Sequence, residues 1–308
     1  MTVHIPVLLQ PILEHLLPAE RAIDGTVGAG GHSAALLEHG AGRVLAFDLD
    51  PTAIRLAGER LMPFGDRARI VHASYADMRI GAERIGWGDG VDAILLDLGV
   101  SSMQFDTAER GFSFRADASL DMRFDAESGG ASAADLINSL EQDELADLIF
   151  RYGEERESRR IARAIIAARP IATTGALAAV IQRAVPRYGD TIHPATRTFQ
   201  ALRIAVNDEL GIIERVLPEA IDLLHPGGHL AVISFHSLED RLVKEAFRLA
   251  ATDCICPPKI PVCVCGHKAS VELVTRKPIV ADEAEIAHNP RSRSAKLRII
   301  RKLDGSTR

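Results

Sequence analysis

Ala22-Ile23-Asp24-Gly25-Thr26-Val27-Gly28-Ala29-Gly30-Gly31-His32-Ser33 reads as a short apolar strand closing on an acid, a glycine-rich turn, and a helix beginning near Ser33. The next apolar run, Arg43-Val44-Leu45-Ala46-Phe47, also closes on an acid, Asp48. A strand, a glycine turn, a helix start and a second strand ending in a carboxylate place backbone N–H groups and one acceptor around a ribose-bearing ligand.

The rhythm extends outward from that stretch. Short apolar runs at 21–24, 43–48, 68–72 and 91–97 alternate with amphipathic segments at 33–39 and 51–61. Nearly all-apolar strands that end on polar residues predict a parallel sheet covered by helices on both faces, with ligands at the strands' carboxyl ends. Beyond about residue 107 helical spacing takes over, at 133–149, 154–168, 175–185 and 195–224. Strand character returns at Gly228-His229-Leu230-Ala231-Val232-Ile233-Ser234, a helix follows over 240–250, and the pattern closes with Leu297-Arg298-Ile299-Ile300. The chain is therefore expected to be an α/β sheet domain of residues 1–107 and 212–308, interrupted by an all-helical domain of residues 108–211.

With 308 residues and 47% hydrophobic content, the chain can bury an ordinary core. Its start, Met1-Thr2-Val3-His4-Ile5-Pro6, lacks the basic, apolar pattern of a secretory signal, and no run is apolar for the ~20 residues of a membrane helix. No membrane association and a cytoplasmic location are expected. The net charge of −6 hides two basic zones. Residues 151–203 and 289–308 each carry about +6, against about −18 for the remainder. Such zones on an acidic body suit a polyanion held locally, although solvated helix faces produce the same pattern.

The four cysteines form Cys254-Ile255-Cys256 and Cys263-Val264-Cys265. Thiols or a metal set come before disulfides in such a chain. C-x-C lacks the C-x₂-C spacing of a zinc knuckle, and an extended loop can point alternate side chains inward. Loop packing is favoured, and no metal is assigned.

Three cofactor classes make different demands on the glycine loop. A P-loop needs Lys then Ser/Thr after its second glycine, where Gly31 and His32 stand. A dinucleotide loop wants a third glycine, where Ser33 stands. S-adenosylmethionine has no pyrophosphate. It needs only close backbone approach and an acid for the ribose, which Asp24, Gly28, Gly30 and Asp48 can meet. A third acid, Asp97, ends the strand Ala93-Ile94-Leu95-Leu96.

At Asp97-Leu98-Gly99-Val100-Ser101-Ser102-Met103-Gln104-Phe105-Asp106 and Glu109-Arg110-Gly111-Phe112-Ser113-Phe114, the chain closely resembles the bacterial family that methylates the N4 amine of a cytidine in 16S ribosomal RNA. The resemblance continues through His4-Ile5-Pro6-Val7-Leu8-Leu9, Tyr152-Gly153-Glu154-Glu155, Ser158-Arg159-Arg160-Ile161-Ala162 and His193-Pro194-Ala195-Thr196-Arg197-Thr198-Phe199-Gln200-Ala201-Leu202-Arg203. It extends to Ser234-Phe235-His236-Ser237-Leu238-Glu239-Asp240-Arg241 and Asn289-Pro290-Arg291-Ser292-Arg293-Ser294-Ala295-Lys296-Leu297-Arg298. It implies a Rossmann-like class I S-adenosylmethionine-dependent methyltransferase sheet with an inserted helical domain. It also implies cofactor contacts at Gly30, Gly31, His32, Asp48, Tyr75, Asp97 and Gln104, and a substrate in the decoding region of the small ribosomal subunit. A homodimer is compatible with it.

A cytosine N4 lone pair is conjugated into the ring, so positioning should carry much of the rate. Many amine methylases place Asp/Asn/Ser-Pro-Pro-aromatic after the fourth strand. Here Asp97-Leu98-Gly99-Val100 keeps the acid without the prolines, so Asp97 can serve the amine, the cofactor or neither directly. A C5-cytosine mechanism needs a nucleophilic cysteine beside this strand, and none stands there. His236 is the candidate substrate-side residue, or else a helix-start hydrogen-bonder. Phe105, Phe112 and Phe114 are candidate base-stacking partners or core side chains. Arg156, Arg160 and Arg163 at i, i+4, i+7, with Arg159 beside them, form a candidate phosphate-binding face, joined by Arg291 and Arg293 near the carboxyl terminus. The rival from another class is a non-catalytic ribosome-assembly factor that retains the cofactor fold.

Overall fold

The computed structural model describes residues 6–99, 107–126, 129–186, 192–257 and 262–304, and divides into two compact units. One comprises Met1–Gly99 and Leu210–Arg308, the other Val100–Glu209.

The first unit is a seven-stranded sheet in the order β3-β2-β1-β4-β5-β7-β6. Its strands are β1 (Ala19–Asp24), β2 (Ala41–Asp48), β3 (Ala68–His72), β4 (Val91–Asp97), β5 (Leu224–Ser234), β6 (Val271–Leu273) and β7 (Lys296–Lys302). The first five pair in parallel, whereas β7 runs antiparallel to both β5 and β6. The central strands are apolar because both faces are covered. Val44, Leu45, Ala46 and Phe47 of β2 and Ala93, Ile94, Leu95 and Leu96 of β4 are at most 1% exposed. Helices α1 (Leu9–Leu16), α2 (Gly31–Glu38), α3 (Pro51–Leu61) and α4 (Met78–Arg84) belong to the first half of the sheet. Strand order reverses between β1 and β4, which makes their carboxyl ends the switch point where such sheets bind ligands.

The connection to α3 shows how local chemistry sets an element. Pro51 fills the first helical position, where its missing N–H costs nothing, and the Asp50 side chain accepts from Thr52 N–H. Packing decides α4, which lies in a stretch too short and polar to predict. Gly81 of α4 sits against the Phe47 ring, where a Cβ would collide with Cε1 and Cζ.

The second unit contains α5 (Ala133–Ser139), α6 (Gln142–Gly153), α7 (Ser158–Ala168), α8 (Thr174–Ala184) and α9 (Thr196–Asn207) around their own core, which includes Ile137, Ile149, Ile161, Ile165, Leu177 and Leu202. Two segments expected as single helices are each broken in two. The 133–149 segment breaks at Leu140, whose backbone is extended, and Glu141 restarts the helix with a capping box. The 195–224 segment breaks at Asp208, which is left-handed with φ +48°, before α10 (Glu209–Leu223). The helix expected from 154 begins only at Ser158, because Glu154 is left-handed with φ +50°. In the sheet unit, β5 leads into α11 (Ser237–Ala250), and α12 (Glu283–His288) precedes β7. No helix among the described residues is long and apolar enough to cross a membrane.

Candidate functional site

The β1–α2 loop is tied to both strands that flank β1. Gly25 N–H donates to the Leu95 carbonyl of β4 at 2.9 Å, and Val27 N–H to the Phe47 carbonyl of β2 at 2.8 Å. Thr26 Oγ1 accepts from Asp97 N–H at 2.7 Å. Gly30 is left-handed, with φ +78°, and caps α2. That conformation is almost free for glycine and costly for other residues. Gly25 is required by space instead, since a Cβ there would run into Leu96 Cδ2 and Tyr75 Cβ. Gly31 is equally confined, with Pro6 Cγ 2.8 Å from where its Cβ would stand.

Three acids end β1, β2 and β4. Asp24 is wholly buried; Oδ2 accepts from Ser33 Oγ at 2.6 Å and Oδ1 from Thr26 N–H at 3.1 Å. Asp48 accepts from Gly28 N–H through Oδ2 and from Asp50 N–H through Oδ1, both at 2.9 Å. Burial pushes each carboxyl up to about 6, against the pull of these hydrogen bonds. Asp97 is pushed further, to about 8, first by burial and then by the charges of Asp24 and Glu239. Its side chain keeps 23% of its surface, yet Oδ1 is buried with no hydrogen-bond partner among the described residues. The strand ends thus hold a carboxyl cluster that suits a cation, because a nearby positive charge favours the ionised forms, that of Asp97 above all.

His32 lies beside Asp97. Its Nε2 is 2.9 Å from the Val7 carbonyl and therefore carries the proton, leaving Nδ1 as a lone pair 3.8 Å from Asp97 Oδ2. Burial lowers its pKa to about 4, so the ring is neutral near pH 7. Tyr75 is half-buried at the start of the short turn after β3. Gln104 and Phe105 lie outside the described residues.

The sheet register sets Asp97 opposite Ile233 of β5, so the Ser234-Phe235-His236 segment emerges beside the end of β4. His236 caps α11, with Nδ1 accepting from Glu239 N–H at 3.4 Å while Glu239 Oε2 accepts from Phe235 N–H at 2.8 Å. The ring is thus engaged at the helix start, and Nε2 stands 3.2 Å from Glu239 Oε1. Glu239 is wholly buried and is one of the two charges that raise Asp97. Sequence reasoning gave it no role, although its spacing from His236 is that of a capping box. Thr26 was also missed; a hydroxyl two residues beyond a strand-ending acid was the available signal.

The chain matches the family model of the MraW methylase family over residues 1–303. The chain belongs to the MraW methylase family. Its curated relatives include proteins named ribosomal RNA small subunit methyltransferase H. That of Nitratidesulfovibrio vulgaris is 52% identical over 98% of this chain and 86% of its own length. That of Citrifermentans bemidjiense is 52% identical over 97% and 98%, and that of Heliobacterium modesticaldum 49% identical over 97% and 98%. For this MraW-family chain, membership and sheet order agree on a methyltransferase fold.

The basic residues fall into different classes. Arg159, Arg160 and Arg163 are exposed on α7, opposite the buried Ile161, Ala162 and Ile165. Arg156 is exposed but precedes the helix, so the expected i, i+4, i+7 stripe contracts to the three arginines on the helix. Arg291 and Arg293 are exposed on the turn Pro290–Ser294. The rest of that zone is largely neutralised within the sheet unit. Asp240 pairs with Lys296 at 3.2 Å and with the 9%-exposed Arg298 at 2.7 Å, and Arg301 pairs with Glu272. Phe112 is 5% exposed in the helical unit's core, stacked on Phe124, so it offers no open face to a base. Phe114 packs edge-on against Phe199 and beside His193.

Proposed function

We propose that this chain is an S-adenosylmethionine-dependent methyltransferase of small-subunit ribosomal RNA, acting on the N4 amine of a cytidine. The observation that carries the cofactor reading is the carboxyl cluster around the pinned glycine loop, with Asp97 Oδ1 buried and without a hydrogen-bond partner among the described residues. The family and its curated relatives support the RNA substrate, and the resemblance at residues 97–114 supports the cytosine N4.

S-adenosylmethionine supplies an electrophilic methyl group carried on a sulfonium cation. The chain's residues do the holding. Gly30 and Gly31 let the backbone approach, and each Asp48 oxygen keeps a lone pair for a ribose hydroxyl beyond the N–H it already accepts. Tyr75 and Gln104 complete the proposed cofactor contacts. Neutral His32 offers Nδ1 as an acceptor while its Nε2–H anchors the loop to the Val7 carbonyl. Asp97 holds Oδ2 beside His32, and its carboxylate is assigned to accept an N–H from the target amine and hold it in line. His236, fixed on Glu239, is assigned to the substrate side as a positioning residue.

Arg159, Arg160 and Arg163, with Arg156, Arg291 and Arg293, are assigned to the RNA backbone, where contacts position rather than specify. The helical insertion, residues 108–211, is thereby proposed as an RNA-recognition element. A soluble, cytoplasmic enzyme follows from an RNA substrate of this kind.

The deciding experiment incubates the protein with methyl-labelled S-adenosylmethionine and small subunits lacking the modification, then digests the RNA to nucleosides. Labelled N4-methylcytidine is expected. Binding of the subunit without label transfer would support the assembly-factor reading instead.

A further inference from the structure

The loop between α11 and β6 carries the four cysteines, and its architecture departs from the packing expected of it. Cys254 and Cys263 are exposed, and Cys256 and Cys265 only partly covered. The neighbouring apolar side chains offer no core, with Ile255 50%, Val262 71% and Val264 77% exposed. The base of the loop is held by ordinary bonds. Ser270 N–H donates to the Ala250 carbonyl at 2.8 Å, and a His267 ring nitrogen lies 2.9 Å from the Leu249 carbonyl. Towards the tip, the groups that converge are the sulfurs.

They converge closely. Cys263 Sγ lies 3.4 Å from Cys254 Sγ, 4.0 Å from Cys256 Sγ and 3.5 Å from Cys265 Sγ, while Cys265 and Cys254 are 3.8 Å apart. All four sulfurs lie within 4.8 Å of one another. A tetrahedral zinc ion with Zn–S bonds of about 2.3 Å sets its ligands about 3.8 Å apart. Disulfide sulfurs stand about 2.05 Å apart, well inside every one of these separations. Within each C-x-C arm both sulfurs are turned towards the same centre. Two such arms set face to face deliver four sulfurs to one centre without the C-x₂-C turn.

A backbone amide also points at the cluster. Val264 N–H donates to Cys256 Sγ at 3.4 Å. Amide donors on ligand sulfurs are a recurrent outer shell of thiolate metal sites, where they offset the charge of the ligands.

We propose that Cys254, Cys256, Cys263 and Cys265 bind one zinc ion as a closed four-thiolate site that clips the α11–β6 loop. Four protein ligands leave no open position, so the ion is structural. Binding replaces four S–H protons with one Zn²⁺ and releases the protons to solvent. The clip supplies what the loop lacks, since a long segment without a hydrophobic core is ordered only at the cost of chain entropy.

The test uses the full chain, purified under reducing conditions without added metal. About one zinc per chain by elemental analysis is expected. Exchange with Co²⁺ should give the thiolate-to-cobalt charge-transfer and tetrahedral d–d bands of an S₄ site. Cys256→Ser and Cys263→Ser should each lose that spectrum. Circular dichroism and S-adenosylhomocysteine binding on the same variants report whether the sheet unit is still folded. Protease cleavage within residues 251–270 should accelerate by tenfold or more on chelation, and zinc should reverse it. Four freely reactive thiols that take up no zinc would overturn the proposal. So would two disulfides in the reduced preparation, or an iron–sulfur chromophore in place of zinc.

Discussion

The carboxyl ends of β1, β2 and β4 and the outer face of α7 handle charge in opposite ways. At the strand ends, burial pushes Asp24, Asp48 and Asp97 up to about 6, 6 and 8, so a cation beside them is favoured because it stabilises their ionised forms. On α7, Arg159, Arg160 and Arg163 stay in solvent. Their attraction for an anion is additive, screened by salt and nearly indifferent to pH. Burial buys selectivity at one region, and exposure gives reach at the other.

The largest effect is expected where the buried acid meets chemistry. Asp97→Asn keeps the shape and removes the charge, and should lower kcat for methyl transfer by about 100-fold or more. Single-turnover assays on subunits would check it, and a loss under about threefold would remove Asp97 from the mechanism. On the arginine side, reversing Arg159, Arg160 and Arg163 to Glu should weaken RNA binding by tenfold or more and reduce the slope of log K against log salt by about 2. S-adenosylhomocysteine affinity should stay unchanged. An unaltered salt slope would assign the RNA contact elsewhere.

Next in size is Gly25→Ala. The added Cβ meets Leu96 and Tyr75, so thermal unfolding should report a loss of about 1–3 kcal/mol, with weaker cofactor binding. Gly28→Ala sharpens the comparison within the loop. Its Cβ would meet only the Thr26 carbonyl, at 4.0 Å, but φ is +51°, so its cost of about 1 kcal/mol should come from conformation alone.

The smallest effect is a pH signature. In the folded, ligand-free chain Asp97 holds its proton up to about pH 8, whereas its unfolded form releases it near 3.8. Its contribution to stability is therefore present below pH 3.8 and lost as pH rises through about 8. His32, lowered to about 4, acts in the opposite sense: its stabilising contribution is present above about 6.5 and is lost as pH falls through about 4. Between pH 6.5 and 8 the Asp97 effect dominates this pair. The melting temperature of ligand-free protein should decline across that window, and the decline should flatten in Asp97→Asn. S-adenosylmethionine, a sulfonium cation, should release more protons on binding than the neutral thioether S-adenosylhomocysteine. Calorimetry in buffers of different ionisation enthalpy would measure the difference, and equal release would separate Asp97 from the sulfonium.

Much of this was legible in the chain. The β1–α2 turn and the acids Asp48 and Asp97 could be read because strand, turn and helix follow one another locally, and each carries its own residue chemistry. The breaks at Leu140 and Asp208 could not, because apolar periodicity runs through both positions and only a backbone reversal interrupts it. Arg156 was misplaced for the same reason, as a left-handed Glu154 delays the helix to Ser158. The basic tail was over-read, since Lys296, Arg298 and Arg301 are matched by Asp240 and Glu272, up to 58 residues away in the chain.

Residue type and spacing along the chain specify the parallel α/β pattern, the glycine loop with its acids, the family and the grouping of cysteines into two C-x-C arms. These are local patterns, fixed by residue type and spacing. What the acids and thiols experience depends on the folded chain. Desolvation at the β1–β4 switch point, the approach of Glu239 to Asp97, and the convergence of four sulfurs all depend on atoms distant in the chain. A carboxyl's pKa or a metal's coordination shell is set by those neighbours and by the water they exclude.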